Sequence, residues 1–131
     1  MDGDTATVDE QKLRAIAARA NRITQERRIE RERAINERVR EARQEIDRLV
    51  GQIRDTDPGV RRIVLFGSIA KNDVKRLSFD IDLAVDSDKY MQLLDIALDS
   101  KFKVDLVDLA CCSRYIAAAV EQHGVELYRA D

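Results

Sequence analysis

The longest stretch of this chain without glycine or proline is the feature that most constrains its fold. Neither residue occurs from Asp9 to Val50, and most positions there hold Ala, Arg, Glu or Gln, which favour helices. We therefore predict a long charged helix over residues 9–54, either continuous or as two collinear pieces. A disordered N-terminus is predicted for residues 1–8.

Two apolar stripes run along this predicted helix, each with spacings of three and four residues. The later stripe consists of Ile35, Val39, Ala42, Ile46, Leu49 and Ile53, and the earlier one of Leu13, Ile16, Ala20 and Ile23. The two are out of phase, so one straight helix cannot aim both at the same small domain. We predict that the later stripe packs on the rest of the chain or on a symmetry mate. The earlier stripe is predicted to be buried only in an oligomer, either a homodimer or a complex with a partner.

Charge is unevenly distributed along the chain. Residues 10–54 hold 13 Lys and Arg against 8 Asp and Glu, whereas residues 55–131 hold 10 against 14. A basic helix could serve as a nucleic-acid arm. Glutamates interspersed among the arginines, as in the i,i+4 pair Arg28–Glu32, instead favour a solvated helix stabilised by ion pairs. We therefore expect no nucleic-acid partner.

Beyond the turn at Pro58 and Gly59, the pattern changes to short alternating elements. β-Branched or alternating runs predict strands over residues 62–66, 79–85, 103–109 and 125–128. Helices are predicted over residues 90–98, with Asp88 as the N-cap, and from a Ser113 cap to residue 122. Residues 60–131 therefore predict an α/β (α+β) domain in which helices cover a small mixed sheet.

Composition excludes several classes of protein. No apolar run approaches the ~20 residues of a membrane span, and the acidic start lacks the apolar core of a signal peptide. Cys111 and Cys112 are adjacent, which disfavours a disulfide between them, and a single histidine is too few to complete a zinc site. We expect a cytoplasmic protein with reduced thiols and no membrane association.

Three aspartates on two predicted strands point to metal chemistry. Asp80 and Asp82 are two residues apart, so their carboxylates project from the same face and repel each other. A divalent cation relieves such repulsion, and Mg²⁺ prefers carboxylate and phosphate oxygens. Asp105, within the apolar run KVDLVDL, completes a three-carboxylate cluster if its strand lies alongside.

A glycine and a serine follow the first predicted strand and open a short helical turn. Gly67 lets the backbone approach an anion, and Ser68 adds a hydroxyl to the N–H groups of that turn. Asn72 can adopt the left-handed conformation that ends it. Metal-binding carboxylates opposite a phosphate-holding turn are the parts that phosphoryl or nucleotidyl transfer requires.

In this order, the segments FGS, DIDLAV and VDLVDL resemble the nucleotidyltransferase superfamily that includes DNA polymerase β. About residues 60–129 are most similar to its minimal nucleotidyltransferase (MNT) domains, which include MntA-like antitoxins. The chain departs from the family pattern at Asn72, where members often have glycine, and at Phe79, where they often have serine. The long N-terminal helix is not part of the family core.

The resemblance implies roles for six residues. Catalytic and metal-binding roles fall to Asp80, Asp82 and Asp105, which would hold Mg²⁺ as two ions, with Asp105 helping to activate the attacking hydroxyl. Nucleotide binding falls to Gly67, Ser68 and Lys71. ATP is the substrate that the resemblance implies.

The resemblance also implies a partner and a function. The protein would transfer AMP from ATP to a hydroxyl of a small helical HEPN-type toxin and silence it, as the antitoxin of a HEPN/MNT pair. Two other functions stay open. One is a non-catalytic antitoxin or adaptor that uses the long helix as a clamp, and the other is a nucleotidyltransferase that acts on RNA or a small molecule.

Overall fold

The computed structural model describes the backbone from Asp2 to Asp131 and the side chains from Asp9 onward. Its helices and strands alternate along the chain in the order α1 (Asp2–Thr56), β1 (Arg62–Phe66), α2 (Gly67–Ala70), β2 (Ile81–Asp86), α3 (Tyr90–Leu98), β3 (Val104–Asp108), α4 (Arg114–His123) and β4 (Val125–Arg129). The predicted disorder of residues 1–8 concerns residues outside the fully described part of the chain and stays a prediction.

The four strands form one mixed sheet in the order β3-β2-β1-β4. Strand β1 runs antiparallel to both β2 and β4, whereas β2 and β3 are parallel. Strands β1 and β2 therefore form a hairpin whose connection returns to the same end of the sheet, and β3 is reached by a crossover through α3. The predicted fold class, a small mixed sheet covered by helices and preceded by a long helix, is confirmed.

Helices cover both faces of the sheet. On one face, the apolar side chains of α1 and α3 pack against the strands in the main core, which includes Ala42, Ile46, Leu49, Ile53, Ile63, Leu65, Ile81, Leu83, Val85, Leu93, Ala97 and Leu106. On the other face, Val120 of α4 packs against Val64, Phe66 and Ala84. Alternation along β2 thus assigns Ile81, Leu83 and Val85 to the main core and leaves Asp82 on the α4 side.

The contacts of the chain divide it into two units, with the division inside α1 between Ala34 and Ile35. Within the unit Ile35–Asp131, five of the six residues of the later stripe are buried and Val39 is half-buried; the buried ones are Ile35, Ala42, Ile46, Leu49 and Ile53. The prediction that the later stripe packs on the domain is therefore confirmed. No helix in the described residues is long and apolar enough to cross a membrane.

One of the two predicted helix caps is confirmed and the other is wrong. Ser113 caps α4 and accepts a hydrogen bond from the Ile116 N–H at 3.2 Å. Asp88 does not cap α3, whose N-cap residue is Lys89. The Asp88 carboxylate instead accepts a hydrogen bond from Arg61 at 3.0 Å, a long-range partner that the local sequence does not show.

A buried carboxylate fastens α1 to the loop before β3. Glu45 is buried, and its two carboxylate oxygens accept hydrogen bonds from Arg48 Nε at 2.6 Å and Nη2 at 2.7 Å. Ser100 Oγ also donates to this carboxylate. The Arg48 hydrogen bonds lower the pKa of Glu45 to about 2, against the opposing effect of burial.

We predict that Glu45→Gln lowers the free energy of unfolding at pH 7 by about 1–2 kcal/mol, because hydrogen bonds to a charged group are lost. The folded pKa lies below the unfolded value of 4.5, so the stabilisation is present above pH 4.5 and disappears as the pH falls towards 2. Urea unfolding of both proteins at pH 7 and pH 3 should show the difference shrinking. Glu37→Gln is the control, because Glu37 forms an exposed ion pair with Arg40, and it should change the free energy of unfolding little. A deficit that does not depend on pH would contradict this assignment.

The earlier apolar stripe lies in the unit that ends at Ala34. Residues 9–34 are exposed throughout, and Leu13 and Ile16 each keep 64% of their surface accessible. Ile23 is 39% exposed. A row of exposed apolar side chains on one helix face is typical of a surface that another molecule covers.

We predict that the full chain sediments as an oligomer through this stripe, and that the double variant Leu13→Gln, Ile16→Gln shifts it towards monomer. Glutamine keeps helix propensity while it removes the apolar contact. Sedimentation velocity checks this, with Arg14→Gln, Arg19→Gln as the control that leaves the stripe intact. If the unaltered chain is monomeric by itself, homodimerisation through α1 is wrong and the stripe is left for a different partner.

Candidate active site

Strand pairing brings two of the three predicted carboxylates together. In the parallel pair β2–β3, Asp82 lies opposite Asp105, and opposite residues of neighbouring strands point to the same face of the sheet. Asp108 lies opposite Val85 and so belongs to the other face, as the odd spacing from Asp105 predicts. The cluster therefore contains Asp105 and not Asp108.

Asp82 is the most perturbed carboxylate of the cluster. Burial, the charges of Asp105 and Asp80, and a hydrogen bond to Asp105 together raise its pKa to about 6, with burial the largest cause. The positive charge of Lys103 opposes this shift. Burial next to like charges destabilises the folded protein, because it raises the energy of the ionised carboxylate. Carboxylates in such an environment are typical of functional sites.

Asp80 lies just before β2 and has a different partner. Its Oδ2 atom is 3.5 Å from the Lys103 ammonium, and the Asp80 side chain is 38% exposed. Among the side chains of residues 9–131, no three Asp, Glu, His or Cys residues are grouped tightly enough to hold a metal ion. The structure thus pairs Asp82 with Asp105, while Asp80 lies near them and contacts Lys103.

Gly67 is required at its position beside Asp82. Its φ angle is +79°, a conformation that other residues adopt only with strain, and a Cβ atom there would collide with the Asp82 carboxylate. Gly67 opens α2, which places its backbone against the carboxylate pair. Asn72 ends this turn with φ of +55°, as the sequence predicts.

An open cavity of about 360 Å³ adjoins the carboxylates. Ser68, Asp80 and Asp82 line it, together with residues of the β1–β2 connection, namely Asp73, Val74, Lys75, Arg76, Ser78 and Phe79. Carboxylates, cations and hydroxyls in the lining of one cavity suit a phosphate-bearing ligand that also binds a metal ion.

Lys71 is not among the residues that line this cavity. Its backbone N–H donates to the Gly67 carbonyl at 3.2 Å at the end of α2, and its side chain is exposed. Lys75, Arg76 and Ser78 line the cavity although no sequence motif pointed to them. Their place in the chain is the signal that could have found them. They lie in the connection between β1 and β2, which begins at Gly67 and ends close to Asp82.

Phe79 lines the same cavity directly before Asp80, where the family pattern often has serine. Its ring lies 6.3 Å from the Phe102 ring, centroid to centroid, and the Arg38 guanidinium lies 4.0 Å from the Phe102 centroid on the α1 side. The bulky ring therefore packs towards the core side chains and does not fill the carboxylate cluster.

Comparison with known families and proteins identifies relatives of this arrangement. Residues 50–131 match the family described as Polymerase beta, Nucleotidyltransferase, a range that contains all six residues to which the sequence analysis assigned roles. A comparison with curated proteins found no match.

Several solved toxin–antitoxin complexes contain a chain of similar fold. One, with AMP-PNP, has a chain 30% identical to this one, with a TM-score of 0.53 over 66% of this chain and 73% of that chain. A second complex, of a mutant MntA with two aspartates changed to glutamate, contains a chain 26% identical to this one. The match covers 64% of this chain and 73% of that chain, with a TM-score of 0.54. The complex of a tri-AMPylated HEPN toxin of Shewanella oneidensis with its MNT antitoxin contains a chain 26% identical to this one. The match covers 67% of this chain and 72% of that chain, with a TM-score of 0.51.

We predict that Asp82→Asn stabilises the metal-free protein by about 1 kcal/mol at pH 7.5, because it removes one of three mutually repelling charges. Urea unfolding in the presence of a chelator measures this. Asp95→Asn, which removes an exposed carboxylate from α3, is the matched control and should have little effect. A loss of stability in the Asp82 variant would mean that its charge is satisfied within the folded protein.

Proposed function

Because the chain belongs to the polymerase beta nucleotidyltransferase family, we propose that it transfers AMP from ATP to a hydroxyl group of a HEPN-type toxin and so acts as the antitoxin. The observation that carries this proposal is the Asp82–Asp105 pair against Gly67, beside a cavity that Asp80 and Ser68 also line. Carboxylates of this kind next to an open cavity lined by cations and hydroxyls support metal-dependent nucleotidyl transfer over simple binding.

The donor set fits Mg²⁺. Asp80, Asp82 and Asp105 supply the hard oxygen ligands that this ion takes, and the perturbed Asp82 shows that the group lacks a full set of compensating charges in the protein itself. Mg²⁺ on these carboxylates would neutralise phosphate charge and stabilise the attacking and leaving oxygens. We assign the three aspartates to hold it, as one or two ions.

The other residues of the site bind and orient the reactants. The Ser68 hydroxyl and the backbone N–H groups next to Gly67 would hold the triphosphate, with Lys75 and Arg76 in the cavity lining as cations for its remaining charge. Lys71, at the end of α2, would contact the nucleotide only if its exposed side chain turned towards the cavity. Asp105 is exposed, so it can reach the acceptor hydroxyl and take its proton. The hydroxyl oxygen then bonds to the α-phosphorus as the bond to the α–β bridging oxygen breaks and pyrophosphate leaves.

The proposed acceptor is a protein. The unit Ile35–Asp131 offers an open cavity next to the cluster and no second lobe to enclose a large acceptor. Solved complexes with chains of similar fold pair an antitoxin with a toxin, and in one of them the HEPN toxin carries three AMP groups. A HEPN-type toxin in the cytoplasm is therefore the acceptor that we propose.

The test is incubation of the purified protein with α-labelled ATP, Mg²⁺ and the HEPN-type protein encoded beside it. We expect label on the toxin, and we expect Asp82→Asn to reduce its transfer rate by at least about 100-fold, since the metal loses a ligand. Asp108→Asn, on the same sheet but on the other face, is the control and should stay within about threefold of the unaltered protein.

Two results would contradict the proposal in different ways. Transfer by the Asp82 variant within about tenfold of the unaltered protein would show that Asp82 does not bind the metal. Neutralisation of the toxin without any labelling, by both the unaltered protein and the variant, would show an antitoxin that acts by binding alone.

A further inference from the structure

We propose that Lys103 is a positioning residue of the carboxylate cluster: its ammonium holds Asp80 while no metal is bound and is displaced when a divalent cation enters. This inference rests on the proposed function, since it assumes that the cluster binds a metal. It begins from the 3.5 Å contact between Lys103 Nζ and Asp80 Oδ2.

The backbone fixes Lys103 beside Asp80 whatever its side chain does. The Ile81 N–H donates to the Lys103 carbonyl at 2.9 Å, directly before the β2–β3 pairing begins. Phe102 is buried and Val104 packs against the main core, so both neighbours of Lys103 are anchored. The position of Lys103 therefore results from strand pairing and core packing, and not from its ion pair.

The side chain itself is free to move. It is 73% exposed, and the ion pair with Asp80 is one of the exposed kind that contributes little to stability. Lysine has a flexible stem and a compact charge, so it can leave a carboxylate at low cost. An ammonium anchored at its backbone and mobile at its tip is suited to a contact that must be broken in use.

Charge distribution in the cluster explains why the contact matters. Asp82 and Asp105 face each other, whereas Asp80 faces Lys103, and the three carboxylates do not close on a single point. A divalent ion ligated by Asp80 would lie within a few ångströms of the ammonium, where two positive charges repel. Metal binding at Asp80 therefore weakens the Lys103–Asp80 contact, and the contact in turn weakens metal binding.

Lys75, one of the cations that line the cavity, does not share this arrangement. Lys75 lies 3.5 Å from Asp73 and so has a carboxylate partner on its own loop. Lys103 contacts Asp80 from the position directly before β3, on a different segment of the chain from Lys75. A triphosphate could then engage the loop cations while the metal displaces Lys103, and the two events would occur at separate positions.

The test uses the full chain alone, without nucleotide or toxin, and measures Mn²⁺ binding by electron paramagnetic resonance. Lys103→Met should bind Mn²⁺ about three- to fivefold more tightly than the unaltered protein, because the competing cation is gone. Lys101→Met removes an equal charge two residues away, and its Mn²⁺ affinity should stay within about twofold of that of the unaltered protein. Lys103→Arg keeps the charge and should not tighten binding.

A thermal readout without metal separates this role from a general effect on folding. In chelator, Lys103→Met should melt below the unaltered protein, and saturating Mg²⁺ should raise its melting temperature by more than it raises that of the unaltered protein. Equal Mn²⁺ affinity in Lys103→Met and the unaltered protein would overturn the inference. So would the same gain in Lys101→Met, or an unaltered protein that binds no Mn²⁺.

The outcomes also distinguish this inference from the proposed function. Normal AMP transfer with unchanged Mn²⁺ affinity in Lys103→Met would leave the function standing and remove the role of Lys103. Tighter Mn²⁺ binding in Lys103→Met, with no transfer to the toxin by any variant, would keep the counter-ion role and remove the transferase.

Discussion

The position of β2 between β1 and β3 is the constraint on which the rest of the structure depends. Antiparallel pairing with β1 sets Phe66 opposite Asp82, and parallel pairing with β3 sets Asp105 opposite the same residue. A shift of register by one residue would turn Ile81 and Leu83 out of the core and Asp82 into it. Hydrophobic burial therefore fixes where the carboxylates lie, and packing sustains a repulsion that the carboxylates could not sustain alone.

The inner part of α1 supports the site from within the unit that begins at Ile35. Arg43 Nη2 donates to Asn72 Oδ1 at 3.0 Å, which fastens the helix to the residue that ends α2. Arg38 lies over Phe102, whose ring contacts Phe79, and Phe79 directly precedes Asp80. This part of α1 therefore supplies the core and also steadies both chain segments that carry the proposed phosphate and metal ligands.

Electrostatics connect this architecture with the proposed chemistry. Gly67 and Asp82 are partly buried and lie against each other, whereas Asp105, Lys103 and the cations of the β1–β2 connection are exposed. Strand pairing fixes the backbone of Asp82 and Asp105, so their positions can persist while cations and phosphates exchange around them. The open side of the cavity leaves room for a protein partner to supply the acceptor, which suits a small domain that modifies another protein.

The sequence by itself determined the elements and the motif. Helix-forming composition without glycine or proline specified α1, β-branched runs specified the strands, and the i,i+2 spacing of Asp80 and Asp82 located the cluster, because these signals are local. Only the tertiary structure decided that Asp105 lies opposite Asp82 and that Lys103 forms an ion pair with Asp80. It also decided that Asp88 pairs with Arg61 and does not cap α3. The cavity, finally, is lined by Lys75 and Arg76 and not by Lys71. Each of these depends on which strand lies beside which, and strand order is set by burial of the whole sheet against α1, α3 and α4, a property that no short segment carries.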